Sequence, residues 1–247
     1  CGGDGTHRHL LSLLYAAGNS AAGVKLLRIS AGTGNDGADV SSPEELALSL
    51  GAPHDSPDVG TPTLPSTGRV DVLRLSSLGG REWICGNIAS LGLDAYVAGV
   101  SNRLRGRLPG RSYRLLADIA VLFYEQRFGI NEMQIRFPDN PASDVSGRYA
   151  ITVVGVSGNR VYGGHLPVLP GPENVCAIST GNLRRKLRTK KMLYSGSHPE
   201  DPGTVFRSGD TLELAYSGRI PLQVDGDDFW LDPTDRKSTR LNSSHYS

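Results

Sequence analysis

The chain has 247 residues, 38% of them hydrophobic and 21% charged, which is enough for one large domain or two with a sizeable core. Its 26 basic and 25 acidic residues leave a formal net charge of +1, which excludes nucleic-acid binding driven by overall charge. Cys1, Cys85 and Cys176 form no C-x-x-C pair, and their odd number excludes a framework in which every cysteine is paired. No apolar run approaches the roughly 20 residues that cross a bilayer, so we expect a cytoplasmic protein, peripheral at most at the inner membrane face.

The two ends of the chain look incomplete or foreign. Residues 1–5 already form a glycine-rich turn of the kind that follows a buried strand, so we expect the domain to be truncated at its N-terminus. Residues 235–245 read D-R-K-S-T-R-L-N-S-S-H, which resembles a translated sequencing-library adapter. We therefore expect residues 235–247 to be artefactual and disordered, with a natural serine-rich tail as the open alternative.

The first quarter of the chain has α/β patterning. The residues from Thr6 onward predict a helix, and residues 22–30 predict a short buried strand. A glycine-rich loop follows, and Ser42-Pro43-Glu44-Glu45 is typical of a helix start. Because residues 53–68 are rich in Pro, Ser, Thr, Asp and Gly, they predict a linker. Residues 1–60 are therefore predicted to be a partial α/β nucleotide-binding domain.

The remainder, residues 69–234, is predicted to be a β-rich sandwich domain. Two helices interrupt it, Asp94 to Arg105 and Tyr113 to Glu125, and we expect both to be core supports; the apolar residues of the second share one face. The predicted strands are Arg69 to Ser76, Glu82 to Ala89, Glu132 to Arg136, Arg148 to Ser157, Asn174 to Ser179 and Thr211 to Ala215.

Three short motifs carry the candidate chemistry. Residues 2–6 (G-G-D-G-T) place glycines around one carboxylate, where backbone N–H groups can approach phosphates and the Asp can act through Mg²⁺. Residues 32–36 (G-T-G-N-D) follow a predicted strand, so both loops could line one phosphate cleft. Residues 224–227 (V-D-G-D) offer two carboxylates for Mg²⁺ or for base catalysis. Local sequence alone favours an Asp-Gly hairpin turn there.

These motifs, in this order, resemble those of the diacylglycerol kinase catalytic-domain family, which includes sphingosine, ceramide and bacterial lipid kinases. Residues 86–95 (G-N-I-A-S-L-G-L-D-A) and 162–164 (Y-G-G) resemble further family segments. The resemblance implies ATP bound between an α/β domain and a sandwich, with Asp225 as the general base for a lipid hydroxyl and with Asp4 and Asp227 as Mg²⁺ ligands. It implies nucleotide contacts at Gly2, Gly3, Asp4, Gly5, Thr6, Gly32, Thr33, Gly34 and Asn35.

Three departures from the family pattern keep alternatives open. His7-Arg8-His9 stands where the family has an apolar residue and Asn-Glu, Asp227 is shorter than the family's Glu, and residues 170–175 lack an Asp-Gly pair. A NAD kinase is the alternative among enzymes, because such enzymes also resemble the first motif. A non-catalytic nucleotide- or lipid-binding relative is the alternative from another class, and the truncated chain itself could be inactive.

A basic segment precedes the last third of the sandwich. Its cations are Arg184, Arg185, Lys186, Arg188, Lys190 and Lys191. They could contact an anionic membrane, or they could be the solvated face of a helix, which the scarcity of apolar neighbours favours. We expect no nucleic-acid partner, because no aromatic residues are interleaved with these cations.

Overall fold

The computed structural model describes residues 4–21, 24, 26, 71–104, 123–162, 166–232 and 239–244. Its helices are α1 (Asp4–Ala17), α2 (Leu93–Leu104), α3 (123–128) and α4 (Leu183–Ser195), with short 3-10 turns at Gly18–Ala21, Pro141–Ser143 and His198–Glu200. Its strands are β1 (Val72–Ser76), β2 (Glu82–Cys85), β3 (Ile88–Gly92), β4 (Met133–Arg136), β5 (Val145–Gly147), β6 (Tyr149–Gly155), β7 (Arg160–Tyr162), β8 (Leu166–Leu169), β9 (Val175–Ser179), β10 (Thr204–Arg207), β11 (Thr211–Tyr216), β12 (Ile220–Val224), β13 (Asp227–Leu231) and β14 (Thr239–Ser244).

Two six-stranded antiparallel sheets form the main body. The first sheet has the order β2-β1-β14-β11-β4-β5, and the second has the order β10-β9-β6-β3-β12-β13. Strands β4 and β11 alternate buried with more exposed positions, as strands with one covered face do. Their inward residues, such as Ile135 and Leu212, share one apolar cluster with Leu91 and Leu222 of the second sheet. The described part of the chain thus contains two antiparallel sheets that share an apolar core, beside helices.

Helices cover the outer face of the second sheet. Its central strands β3 and β12 are buried along their whole length, so they read as continuous rather than alternating patterns. On one side, Leu93 and Val97 of α2 cluster with Tyr124 of α3. On the other side, Leu193 of α4 joins Ile178 of β9. This covered face contains an apolar cavity. None of the helices in the described ranges is long and apolar enough to cross a membrane.

Most predicted elements of the sandwich recur with shifted ends. The helix predicted over Asp94 to Arg105 is α2, and the strand predicted over Arg148 to Ser157 is β6. The single strand predicted over Glu82 to Ala89 is wrong, because Gly86 and Asn87 form a turn that separates β2 from β3. Among the strands that sequence reasoning missed, β12 is buried at every position and so lacks a clear alternation, and β5 and β7 have only three residues each.

The prediction of disorder for residues 235–247 is wrong for six of them. Thr239–Ser244 form β14, which pairs with β1 on one side and with β11 on the other. In register, Leu241 lies opposite Leu75 and Leu212, which are both core residues. A central strand pairs through its backbone N–H and C=O groups, and its side chains alternate between the two faces of the sheet. Many different sequences meet both requirements, so composition alone did not reveal this strand.

The predicted α/β domain of residues 1–60 stays a prediction. Helix α1 is its main described element, and the helix begins at Asp4, two residues before the predicted start. An acidic residue in the first turn favours this earlier start, because it complements the positive end of the helix dipole. The second glycine-rich motif, residues 32–36, lies outside the described ranges.

Candidate active site

Helix α1 lies against the turn between β2 and β3. Leu11 is buried with Val72 and Ile84, which anchors the middle of the helix on the first sheet. Closer to the N-terminus, a Cβ atom added to Gly86 would lie 2.5 Å from Leu11 Cδ1 and 3.1 Å from His7 Cε1. The absence of a side chain at Gly86 therefore lets α1, which carries the end of the first motif, approach the turn closely.

The V-D-G-D motif is a hairpin turn, as local sequence favoured. It joins β12 to β13, with Val224 paired to Asp227. Its two central residues have positive φ, +47° at Asp225 and +91° at Gly226. Asp and Gly tolerate this left-handed conformation, and two such residues match the twist of the flanking strands.

The carboxylate of Asp225 is held by the β2–β3 turn. It is 5% exposed. Oδ2 accepts a hydrogen bond from the backbone N–H of Gly86 at 2.6 Å, and Oδ1 accepts from those of Asn87 at 2.9 Å and Ile88 at 3.1 Å. Three successive N–H groups thus form an anion-binding concavity filled by a side chain of the protein itself.

The thiol of Cys85 completes this shell. Its Sγ donates to Asp225 Oδ1 at 3.2 Å. Burial, followed by the nearby charge of Asp225, raises the pKa of the Cys85 thiol well above its usual range. The thiol therefore stays protonated and acts as a donor rather than as a nucleophile. Oδ1 accepts three bonds in all and Oδ2 accepts one, so Oδ2 keeps most of the remaining acceptor capacity.

Asp227 joins the same hairpin to α1. Arg8 binds its Oδ2 through Nε at 2.7 Å and through Nη2 at 2.6 Å. The guanidinium also lies over the ring of Phe229, 5.6 Å from its centroid. Arg8 is one of the residues that depart from the family motif, and this contact spans 219 positions of sequence. The structure therefore links the third motif to Arg8, two residues after the first motif, which motif reasoning did not select.

Helix α2 supports the hairpin from its other side. Asn102 donates to the Gly226 carbonyl at 2.9 Å and to Asp228 Oδ1 at 3.1 Å. Arg103 lies 3.7 Å from Asp228, and a Cβ on Gly99 would lie 2.8 Å from the Asp228 carboxylate. Three elements thus hold the turn, and Asn102 and Asp228 were missed because neither belongs to a short motif.

A second polar contact links α2 to β12. Ser90 Oγ lies 2.6 Å from Asp94 Oδ2 and 3.1 Å from the Gln223 side-chain amide. Both neighbouring atoms, Asp94 Oδ2 and Gln223 Oε1, are acceptors, and the single hydroxyl proton of Ser90 is donated in the shorter contact, to Asp94. Gln223 and Ser90 are both buried, and they connect the start of α2 with the strand that leads to Asp225.

An apolar cavity of about 140 Å³ lies between α2, α3, α4 and the second sheet. Its apolar wall includes Leu93, Val97, Tyr124, Ile151, Ile178 and Leu193. Burial raises the pKa of the Tyr124 phenol far above its usual range, so the hydroxyl is neutral at any physiological pH. Charged residues, among them Asp94, Glu125 and Lys186, also line the cavity, and a mainly apolar wall with a few polar groups is typical of a site for an apolar chain with a polar end.

The remaining predicted site residues lie at or beyond the limits of the described chain. Gly2, Gly3, Gly32, Thr33, Gly34 and Asn35 lie outside the described ranges. Asp4, Gly5 and Thr6 form the first turn of α1, where Thr6 is exposed. Where side chains are described, no cluster of three or more His, Cys, Asp or Glu has the arrangement of a metal site. The predicted Mg²⁺ contacts of Asp4 and Asp227 stay predictions.

Gly86→Ala is expected to lower the free energy of unfolding by about 1–3 kcal/mol, because the new methyl group displaces Leu11 and His7 from the turn. Chemical denaturation and limited proteolysis within α1 measure the effect. Gly171→Ala is the matched control, since its methyl would meet only the end of the Glu173 side chain. Equal stability of the two variants would contradict the close seating of α1.

No protein-family model matches the chain, and no curated protein matches it. Three similar solved structures come from Bacillus anthracis strain Sterne and bear the name diacylglycerol kinase, given provisionally for the first two. Each covers 71% of this chain, with TM-scores of 0.41, 0.42 and 0.38 and identities of 13%, 11% and 8%. The chain spans 55% of the length of the first. Their name agrees with the family that the motifs resemble, but at TM-scores this low we infer neither fold nor function from them.

Proposed function

We propose that this chain is part of an ATP- and Mg²⁺-dependent kinase that transfers the γ-phosphoryl group to a lipid hydroxyl. The observation that supports this most directly is the contact between α1 and the V-D-G-D hairpin. The first turn of α1 contains the last residues of the G-G-D-G-T motif, and Arg8 of the same helix binds Asp227 of the hairpin. A phosphate-binding helix N-terminus and a pair of carboxylates close to it are the parts that phosphoryl transfer needs.

In this proposal the nucleotide and metal contacts follow the motifs. Gly2, Gly3, Gly5, Thr6, Gly32, Thr33, Gly34 and Asn35 would hold ATP, and Asp4 and Asp227 would hold Mg²⁺, which neutralises charge on the phosphates. Asp227 is 41% exposed and accessible enough for such a role, but it would exchange its ion pair with Arg8 for the metal. The Arg8 guanidinium would then be free to face phosphate oxygens, for which its geometry is suited.

Asp225 is the proposed base. Its Oδ2 would accept the proton of the lipid hydroxyl, while the N–H groups of residues 86–88 hold the carboxylate in one orientation. Oδ1 accepts three hydrogen bonds and Oδ2 accepts one, from Gly86, so Oδ2 is the oxygen with more room for a proton.

The apolar cavity supports a lipid as the acceptor. Its wall at Leu93 and the hairpin contact at Asn102 lie on the same helix, and nine residues at 1.5 Å each separate them by roughly 14 Å along the axis. This spacing would let an acyl chain occupy the cavity while a hydroxyl approaches the hairpin. NAD, which is polar throughout, would gain little from such a wall.

A non-catalytic relative is the second candidate. The specific observation that favours it is that both carboxylates already have protein partners: Asp225 accepts four hydrogen bonds and Asp227 is ion-paired with Arg8. Both carboxylates then serve to hold the hairpin, and the protein binds nucleotide or lipid without transfer.

The test is transfer of labelled γ-phosphate from ATP to diacylglycerol, a sphingoid base, phosphatidylglycerol and NAD. It is run on the whole gene product, because this chain spans little more than half the length of the similar structures. Label in a lipid that falls by at least about 100-fold in Asp225→Asn, assayed where the variant is folded, is the expected result. Label in NAD alone would assign the alternative enzyme class, and ATP binding without transfer would assign the non-catalytic relative.

A further inference from the structure

Helix α4 is tied firmly to the sandwich along one side only. Asn182 caps it by accepting from the Arg185 N–H at 3.0 Å, and Gly196 ends it in a left-handed conformation with φ +72°. Thr189 is its one buried residue, and Leu193 packs against the second sheet. The outer face of α4 is the side that faces away from the sheet.

The six cations predicted to act together divide into two groups. Arg185 reaches inward to Asp201 at 3.2 Å, and Lys186 binds Glu125 at 2.9 Å. Lys190 is half-buried and lies 5.9 Å from the centroid of the Tyr194 ring. The remaining three, Arg184, Arg188 and Lys191, are exposed. A contact through all six, as the sequence suggested, is therefore replaced by a contact through fewer cations.

Large apolar side chains lie beside these exposed cations. Leu183 is 51% exposed, Leu187 53% and Tyr194 42%. At about 100° per residue these three fall within roughly 40° of one another around the helix. Arg184, Arg188 and Lys191 form a neighbouring stripe about 90° away, while Lys186 and Lys190 border the opposite edge. The outer face is thus an apolar stripe between two rows of cations.

We propose that the outer face of α4 docks on an anionic lipid bilayer. Apolar side chains flanked by cations are the pattern of helices that lie in the membrane interface, where long basic side chains reach the headgroups. The sequence of α4 contains no acidic residue to repel an anionic surface. Arg184 and Arg188 also border a shallow depression beside Asp201, Pro202 and Gly203, which would admit a headgroup phosphate.

The position of the cavity supports this occupant over others. Lys190, Leu193 and Tyr194 line the apolar cavity and belong to the same helix, so docking of α4 would bring the cavity to the membrane surface. In this respect the inference rests on the proposed function, since a lipid acceptor must pass from the bilayer to the site. A nucleic acid would match the cations but would leave the exposed leucines in water.

The experiment is cosedimentation of the whole protein with vesicles, without ATP. Vesicles of phosphatidylcholine alone are compared with vesicles of equal parts phosphatidylcholine and phosphatidylglycerol. We expect binding to the anionic vesicles only, and we expect salt to weaken it. Leu187→Ser with Arg188→Gln should weaken the partition coefficient by at least about tenfold, since one cation alone contributes roughly fivefold near an anionic surface.

The matched control changes the same residue types elsewhere. Both control residues belong to the first sheet, away from α4: Leu78 is 46% exposed in the turn after β1, and Arg136 is exposed on β4. Leu78→Ser with Arg136→Gln should bind within about twofold of the unaltered protein, since isolated surface residues contribute little. Both double variants change exposed residues, and equal thermal unfolding confirms that each is folded.

Three results would overturn the proposal. They are equal binding to neutral vesicles, equal loss of binding in the two double variants, and displacement from anionic vesicles by an RNA oligonucleotide that binds α4 more tightly. The readout is independent of catalysis. Vesicle binding through α4 without phosphoryl transfer would retain this inference and reject the kinase, whereas transfer to a short-chain soluble lipid without vesicle binding would do the reverse.

Discussion

Asp225→Asn is expected to lower the free energy of unfolding by about 3 kcal/mol. The amide group replaces one of two oxygens that together accept four hydrogen bonds, so one buried donor of the β2–β3 turn must face another donor. Asn retains the left-handed backbone at φ +47°, so the loss reports the carboxylate rather than the turn. Urea denaturation monitored by the fluorescence of Trp83 and Trp230 measures it.

Asp227→Asn is the matched control for this change. It lies in the same hairpin, but it is 41% exposed and bound to one cation, so we expect a loss below about 1 kcal/mol. If the two variants were equally stable, the hydrogen bonds to Asp225 would not be holding the hairpin. The comparison also separates a structural from a chemical role, because an Asp225→Asn protein that is folded and inactive has lost the base.

Arg185→Met is expected to lower the free energy of unfolding by about 3 kcal/mol. It leaves the carboxylate of Asp201, which is 3% exposed, without the guanidinium 3.2 Å away. The hydroxyls of Thr189 and Thr204, each at 3.4 Å, are long contacts that cannot replace a charge. Thermal or urea unfolding measures the loss.

Two further variants distinguish the loss of the ion pair from the loss of arginine packing. Arg184→Met changes the neighbouring exposed cation and should cost less than about 0.5 kcal/mol. Asp201→Asn combined with Arg185→Met removes the buried charge as well, and should recover about half of the loss, because an uncompensated charge is what makes the single change costly. A double variant no more stable than Arg185→Met would show that lost packing of the arginine is the cause.

Gly203 lies against Arg185 of the same ion pair. A Cβ added there would overlap the Arg185 guanidinium, which also donates to the Thr180 carbonyl at 3.2 Å. The segment between the 3-10 turn at His198–Glu200 and β10 therefore passes so close to α4 that only glycine at position 203 leaves room for the ion pair. This packing explains why Arg185 belongs to the inner side of α4.

Periodic and turn-forming patterns were legible in the sequence. The sequence predicted α2 to within one residue at each end, and alternating apolar and polar residues are present in the predicted strands β4 and β11. The Asp-Gly pair predicted the hairpin at Asp225, since both residues tolerate positive φ. The split between β2 and β3 was not predicted, because the apolar residues on either side of Gly86 read as one run.

The sequence by itself determined the local features: antiparallel strands, the hairpin turn, the ends of α2 and the basic character of α4. Tertiary structure alone decided that the Asp225 carboxylate meets the N–H groups of residues 86–88, that Arg8 binds Asp227, and which cations of α4 face outward. The physical reason is that period and turn chemistry act over a few neighbouring residues, whereas these partners lie 16 to 219 positions apart. Their meeting depends on how the packed elements fill the space between them.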